Sequence, residues 1–389
     1  MTNLLEKENF DHQTVVPCSY KDDCSGCQSL GVPYGAQIEA KKEQLKQLLS
    51  SFSLHSKSPI RAFSAGPAFL RDRLDFSLEE GRLGLYRKEQ RQILDLPTCS
   101  QLSPELSAWL SDFREQFQWP FKKGSIRLRV GPQGHRGVWL DFANVDIKAL
   151  LDEQTLLRRL QQQAFVEIGQ RRKVPVWTGQ EYKLRDPELH VWFQTWIENR
   201  PVDLYCQVAS FTQPSLRANK IICDIINTWI QTFPRSRLIE FGSGIGNLTL
   251  PAAAVAESIL ACEIDELSLE GLRKTIECVP ADLRSLQSKI QIHRGDFQKK
   301  LTEDFSRFDG VMANPPRSGL MGFLNPLGAL SLAQRPRFFI YMSCFPESMA
   351  RDMARLQDYG YELQETFIVD QFPQTHHYEV LGLLQRKQS

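Results

Sequence analysis

No stretch of this 389-residue chain approaches the roughly 18 consecutive apolar residues that a membrane-spanning helix needs. Apolar runs such as Phe338-Phe339-Ile340-Tyr341-Met342 stop after a few residues, so no membrane partner is expected. The start, MTNLLEKENFDHQ, lacks the apolar core of a secretory signal and carries acids in its place, which points to a cytoplasmic protein. Excess charge of one sign is missing too: 47 Lys+Arg against 46 Asp+Glu leave +1, so bulk charge names no partner. Internal repeats and low-complexity segments are absent. What remains is 42% apolar, 10% aromatic and 24% charged residues, the composition of a globular protein with substantial cores. The length suits two or three domains, and a monomer is expected.

Charge is unevenly placed. Between Phe121 and Lys173 stand eleven basic and five acidic residues, an excess of +6 that leaves −5 for the rest. A basic module beside a slightly acidic one suits an enzyme that holds a polyanion on one part and reacts with it on another. The alternative is a solvated charged face.

Nine cysteines in a cytosolic chain do not read as a disulfide framework. Three form a C-x5-C-x2-C run, Cys18, Cys24 and Cys27, and Cys99 lies in the turn-like segment LPTCSQLSP. Four thiolates converging on one centre complete either a tetrahedral zinc site or an iron–sulfur cluster. The spacing leaves both open, beside scattered buried thiols.

The periodicity predicts an amphipathic helix over Ile38–Phe52 and then, from Arg61 to about Tyr205, a strand-rich α+β unit. SIRLRV alternates strictly, with Ile126, Leu128 and Val130 on one face and Arg127 and Arg129 on the other. The turn Gly131-Pro132-Gln133-Gly134 then makes a hairpin with VWLDF. Its arginine face is expected to be exposed as a platform for phosphates. From Tyr205 onward RLIEF, ILACEI, IQIHRGDF, FDGVMANPP and RFFIYMS read as strands, mostly alternating with helices such as Leu216–Gln231, Leu267–Glu277 and Glu347–Tyr359. This is the rhythm of a doubly wound parallel sheet. YELQETFIVDQF and HYEVLGLLQ close it as an antiparallel hairpin, the pattern of a Rossmann-like methyltransferase. Two domains are therefore expected, 1–205 β-rich and 206–389 α/β.

Glu240-Phe-Gly-Ser-Gly-Ile-Gly246 falls where the first catalytic strand turns into a helix. Gly242, Gly244 and Gly246 let the backbone bend and admit a ligand close to it. The G-x-G-x-G spacing is not the dinucleotide fingerprint and suits S-adenosylmethionine, which has no pyrophosphate. Glu263, at the end of the next strand, is placed to hold ribose hydroxyls, and Asp296 ends the third. Asn314-Pro315-Pro316-Arg317 closes the fourth. Methylators of exocyclic amines carry an aromatic residue after Asn-Pro-Pro, so Arg317 counts against that chemistry. Ser343-Cys344-Phe345-Pro346 ends the fifth strand, putting Cys344 at a helix N-terminus, where a thiol pKa is expected to fall. Cysteine is the usual group that adds to carbon 6 of a pyrimidine to activate carbon 5. Glu379, in His376-His377-Tyr378-Glu379, is the acid placed to remove the carbon-5 proton, unless it merely pairs with a neighbouring arginine.

The cysteine run, FTQ, EFGSGIGN, NPPR, SCFP and HHYEV together resemble the RNA 5-methyluridine methyltransferases, over nearly the whole chain from Cys18 to the terminal hairpin. Within them the chain is most similar to the branch acting on 23S ribosomal RNA. The resemblance implies that Cys18, Cys24, Cys27 and Cys99 hold a [4Fe-4S] cluster, making 1–205 an iron–sulfur domain. It implies that Gln213, Phe241, Glu263, Asp296 and Asn314 bind S-adenosylmethionine, that Cys344 is the nucleophile and that Glu379 is the base. Two positions depart from the family pattern. Asn314 stands where most relatives have Asp, although the 23S branch carries Asn, and Phe345 replaces the Asn of SCNP. The RNA-binding barrel that some relatives carry ahead of the cysteines is not expected here. RNA would then be held by the cysteine-bearing, β-rich part. The same chemistry on transfer RNA is the second reading. An inactive RNA-binding module is a third, against which Cys344, Glu379 and the glycine turn argue together.

Overall fold

Alternation along Arg237–Phe241 organises the catalytic half: Leu238 faces one apolar core and Ile239 and Phe241 the other. A strand buried on both sides belongs inside a parallel sheet covered by two helical layers. In the computed structural model, which describes residues 10, 12–141, 147–295 and 304–387, this strand lies within an eight-stranded sheet. The order is Arg61–Ser64, Tyr361–Asp370, Glu379–Arg386, Phe338–Ser343, Gly310–Ala313, Arg237–Phe241, Ser258–Glu263 and Ile290–Arg294. The last five run parallel, and Glu379–Arg386 is antiparallel to both its neighbours, as the terminal hairpin requires.

Helices Leu216–Gln231, Thr249–Val255 and Glu266–Glu277 feed one core. Tyr34–Ser51 and Pro346–Asp358 feed the other. The early helix thus packs into the methyltransferase core, and Arg61–Ser64 extends its sheet by pairing parallel to Tyr361–Asp370. Residues well before 205 therefore contribute to the C-terminal architecture. Beside the apolar contacts of Ile38, Leu45 and Leu49, a buried ion pair fixes the junction: Lys41 Nζ to Asp370 Oδ1 at 2.8 Å, with the Tyr34 hydroxyl donating to Asp370 Oδ2 at 2.8 Å. Sequence periodicity carries no sign of so distant a partner.

The β-rich part centres on a six-stranded sheet, ordered Ile93–Asp95, Arg82–Tyr86, Arg73–Glu79, Lys123–Val130, Arg136–Asp141 and Phe165–Ile168. The hairpin read from SIRLRV and VWLDF is present, with Leu128 opposite Val138. Phe76, Ile126, Leu128, Val138 and Leu140 form its apolar face and pack with Leu106, Trp109 and Phe113 of helix Pro104–Gln116. The other face does not behave as expected. Arg129 is 1% exposed and donates to Trp192 O at 2.9 Å and Thr212 Oγ1 at 3.1 Å. Arg127 pairs with Asp75 (3.0 Å) and donates to Ala209 O at 2.8 Å. These arginines are not a phosphate platform, because the segment after Cys206 covers them. Strict alternation reveals two faces but not what lies against the second. Among the described residues, no helix is long and apolar enough to cross a membrane.

Candidate functional site

After Phe241 the chain turns through Gly242, Gly244 and Gly246, all at positive φ (74°, 55° and 94°). At Gly242 a Cβ would stand 2.4 Å from the Asn314 carbonyl oxygen, so only glycine lets the two strand ends close up. The Asn314 N–H in turn donates to Phe241 O at 3.0 Å. Glu263 closes the ring: Oε2 accepts from Gly244 N at 2.9 Å, and Oε1 from Ile264 N at 2.7 Å and Asp265 N at 3.0 Å. Three backbone amides fix this carboxylate at the cavity wall.

That cavity encloses about 830 Å³, and its wall includes Gln213, Gly242, Gly244, Glu263, Asn314, Cys344 and Glu379. Seven candidates read from sequence thus converge, from strand ends far apart in the chain. Such a volume accommodates a nucleoside cofactor beside one nucleobase. Phe241 is not on the wall; it is fully buried beneath the glycine turn, with its ring 4.0 Å from that of Phe323. Asp296 lies outside the described residues.

Ser343 faces Val380, and Val369 faces Glu379, so the sheet brings Cys344 and Glu379 to the same rim. Burial pushes the Glu379 carboxyl up to about 8, although a hydrogen bond from Gln371 pulls the other way. Among the described residues Glu379 forms no ion pair with an arginine; its Oε2 accepts from Gln371 Nε2 at 2.7 Å. Cys344 departs from expectation. Its thiol pKa is raised, first by burial and then by the charge of Glu379, while Arg317 opposes the rise by hydrogen bond and charge. The start of helix Pro346–Asp358 does not outweigh desolvation, and Arg317 is the group that favours thiolate. His377 also lines the cavity; burial, together with Arg317 and His376, lowers its pKa and favours the neutral ring.

Several wall residues were not singled out from sequence. Arg71, Arg73 and Arg172 come from the β-rich part, and Phe211 stands 68% exposed at the wall, its ring 5.4 Å from the Arg73 guanidinium. Alternation around RDRLDF assigns Arg73 to a polar face but cannot say that a second domain faces it. Only the FTQ motif hinted at Phe211.

The four cysteines meet as well. Cys18, Cys24, Cys27 and Cys99 line a second cavity of about 190 Å³. Burial and the nearby Cys99, Cys24 and Cys18 push the Cys27 thiol up to about 12. Thiolates packed this way repel one another unless a cationic centre lies among them. Among the described residues, no three His, Cys, Asp or Glu side chains are grouped to hold a metal ion. Arg71 lines both cavities, and the loop carrying Gln374 binds the cysteine segment through Gln28 N and Ser29 N, each 3.0 Å from Gln374 O.

Known proteins resemble this chain in sequence and fold. The family model described as tRNA (uracil-5-)-methyltransferase matches residues 191–387. An uncharacterized RNA methyltransferase of Bdellovibrio bacteriovorus is 65% identical over the full length of both chains. The 23S rRNA (uracil(1939)-C(5))-methyltransferase RlmD of Vibrio parahaemolyticus is 25% identical, covering 95% of this chain and 81% of that one. Among solved structures, the Pyrococcus abyssi tRNA (uracil-54, C5)-methyltransferase in complex with S-adenosyl-L-homocysteine superposes with a TM-score of 0.64. It is 19% identical and the match covers 93% of this chain and 86% of that one, a likeness of fold. With its parallel sheet closed by an antiparallel hairpin and its strand ends gathered on one cavity, the chain belongs to the RNA (uracil-5-)-methyltransferase family, enzymes that use S-adenosylmethionine.

Proposed function

We propose that this enzyme methylates carbon 5 of a uridine in 23S ribosomal RNA, with Cys344 as nucleophile and Glu379 as base. The observation that carries the reading is that both side chains open on the cavity that Glu263, Gln213 and the glycine turn also line. An inactive RNA-binding module has no use for that convergence. The choice of ribosomal RNA is supported by relatives named for 23S rRNA that are 24–25% identical across 95–98% of this chain. Transfer RNA is the second reading, favoured by the fold neighbour that acts on it.

Carbon 6 must be approached out of the ring plane, so the base has to leave its stack. Arg71, Arg73, Arg172 and Arg317 at the cavity supply positive charge for the phosphates that accompany it. Cys344 Sγ, as thiolate, adds to carbon 6, and the electron pair moves onto the ring as an enolate whose negative charge makes carbon 5 nucleophilic. Glu263, Gln213, Asn314 and the glycine turn would hold S-adenosylmethionine, whose sulfonium would give carbon 5 its methyl and leave as S-adenosylhomocysteine. Glu379, once ionised, accepts the carbon-5 proton; the returning electron pair restores the ring and expels Cys344. Its position next to Cys344 lets one buried wall serve both addition and elimination.

We also propose a [4Fe-4S] cluster on Cys18, Cys24, Cys27 and Cys99; the support is the spacing of the four cysteines and their lining of one cavity, although their side chains are not drawn together as metal ligands among the described residues. Such a cluster would join the 18–27 segment to the Cys99 turn, and that segment is in turn linked by main-chain hydrogen bonds from Gln28 and Ser29 to Gln374 in the loop before Glu379. Mass spectrometry of ribosomal and transfer RNA from a deletion strain tests the substrate. A missing methyl in 23S RNA is expected, and loss confined to transfer RNA would select the second reading.

A further inference from the structure

We infer that Arg129 and Glu167 are positioning residues that grip the 207–212 loop and so set how Phe211 and Gln213 are presented to the cavity. The inference rests on the reading of Gln213 as a cofactor-holding residue.

The sheet explains how two opposite charges arrive there. Trp139 pairs with Arg127 on one side and Glu167 on the other, and Gly137 pairs with Arg129. All of these lie on the face opposite the apolar core, which a lone domain would leave in water. Arg129 and Glu167 are instead 1% and 3% exposed. Burying charges this completely is costly unless their hydrogen-bonding capacity is used.

It is used on main chain. Glu167 Oε1 accepts from Val208 N at 2.6 Å and Oε2 from Ala209 N at 2.9 Å. Arg129 Nη1 donates to Val208 O at 3.2 Å and Nη2 to Thr212 Oγ1 at 3.1 Å. Val208 is thus held at its N–H by a carboxylate and at its C=O by a guanidinium. A third contact comes from Arg172, whose Nη1 donates to Ser210 Oγ at 3.2 Å and lies 4.0 Å from Asp265 Oδ2, two residues beyond Glu263. The loop then delivers Phe211 and Gln213 to the cavity wall, where Gln213 Oε1 accepts from Gln371 Nε2 at 2.8 Å.

Surface loops are ordinarily mobile, and ordering one at the moment of binding weakens affinity. A loop fastened in advance by buried charges removes that cost. Because the grip comes from the β-rich part, its sheet face acts on the cofactor side without touching cofactor.

The test is S-adenosylhomocysteine binding by calorimetry on the full chain, with kinetics and thermal melting alongside. Glu167→Gln offers one acceptor oxygen to two N–H groups, and Arg129→Lys keeps charge but loses the fork. Each is expected to weaken binding about tenfold, a loss typical of one or two charge-assisted hydrogen bonds. KM for S-adenosylmethionine should rise while kcat at saturation stays near wild type. Ser210→Ala, which leaves the buried charges in place, should lose about threefold by the same route. Combined with Gln213→Ala, Glu167→Gln should add little further loss, since both act through one loop. Wild-type affinity in Glu167→Gln and Arg129→Lys, or full additivity with Gln213→Ala, would overturn the inference. Wild-type affinity in Gln213→Ala alone would instead overturn the cofactor reading beneath it.

Discussion

One amide nitrogen of Gln371 donates to Glu379 Oε2 at 2.7 Å and to Gln213 Oε1 at 2.8 Å. The proposed base and the proposed cofactor ligand therefore share a donor. A carboxyl with no such partner would be buried at a greater cost, and burial has already pushed Glu379 up to about 8. The donor stabilises the ionised form, which is the form that accepts a proton.

The two ends of the mechanism should separate by mutation. Cys344→Ala is expected to abolish turnover without any covalent species, because addition never begins. Glu379→Gln should permit addition and methyl transfer but stall elimination. A protein–RNA band resistant to denaturation should then accumulate on a gel. Normal turnover by Glu379→Gln would move the base to His376 or His377, and turnover by Cys344→Ala would end the nucleophile assignment.

Gln371→Leu removes the donor shared by Glu379 and Gln213, and its effect on Glu379 is read at saturating cofactor. Losing a hydrogen bond to the charged carboxylate raises its pKa further above about 8, on the order of one unit. The acid limb of the pH profile of kcat should move to higher pH, with activity recovering in alkaline buffer. An unmoved limb accompanied by a uniform loss of rate would show that Gln371 does not tune Glu379.

The cysteine assignment makes a metal prediction. Protein purified without oxygen should be brown and contain iron and acid-labile sulfide. Cys24→Ser should lose both and melt at lower temperature, because a cluster would cross-link the 18–27 segment to the Cys99 turn. Stoichiometric zinc with no sulfide would sink the cluster reading and select the single-ion alternative.

Much of the catalytic half was legible because local chemistry dictates it. Arg237–Phe241 and Leu216–Gln231 follow from apolar period and caps, with the Ser215 hydroxyl accepting from Ala218 N at 3.3 Å. The glycine turn, Cys344 and Glu379 announce themselves by residue type at strand ends. The misreadings share one cause. Arg129 obeys the alternation of an exposed strand face, yet a segment some eighty residues later covers it. Lys41 sits on a helix read only as an amphipathic element of 1–205, yet Asp370, 329 residues away, is brought against it. Cys344 was judged by its helix start, whereas burial governs its proton. Periodicity reports one element at a time, and each of these depends on what packs against it.

Stability should also carry the mark of buried acids. Burial pushes Glu379 up to about 8, and Glu240 and Glu167 up to about 7. In the unfolded chain these carboxyls titrate near 4.5. Between 4.5 and 7 to 8 the folded protein therefore binds more protons than the unfolded one. Stability from these groups is complete below the unfolded pKa and is lost as pH rises through the folded values. Glu240 isolates the effect, because it is buried off the cavity wall and accepts a hydrogen bond from Thr249 Oγ1 at 2.6 Å. Glu240→Gln keeps an acceptor for that hydroxyl and cannot ionise. Denaturant unfolding should show the variant and wild type close together at pH 5. The variant should gain on wild type towards pH 8, by an amount bounded at about 3 kcal/mol if each pKa unit is worth about 1.4 kcal/mol. A difference that stays constant from pH 5 to 8 would mean that Glu240 remains ionised within the fold.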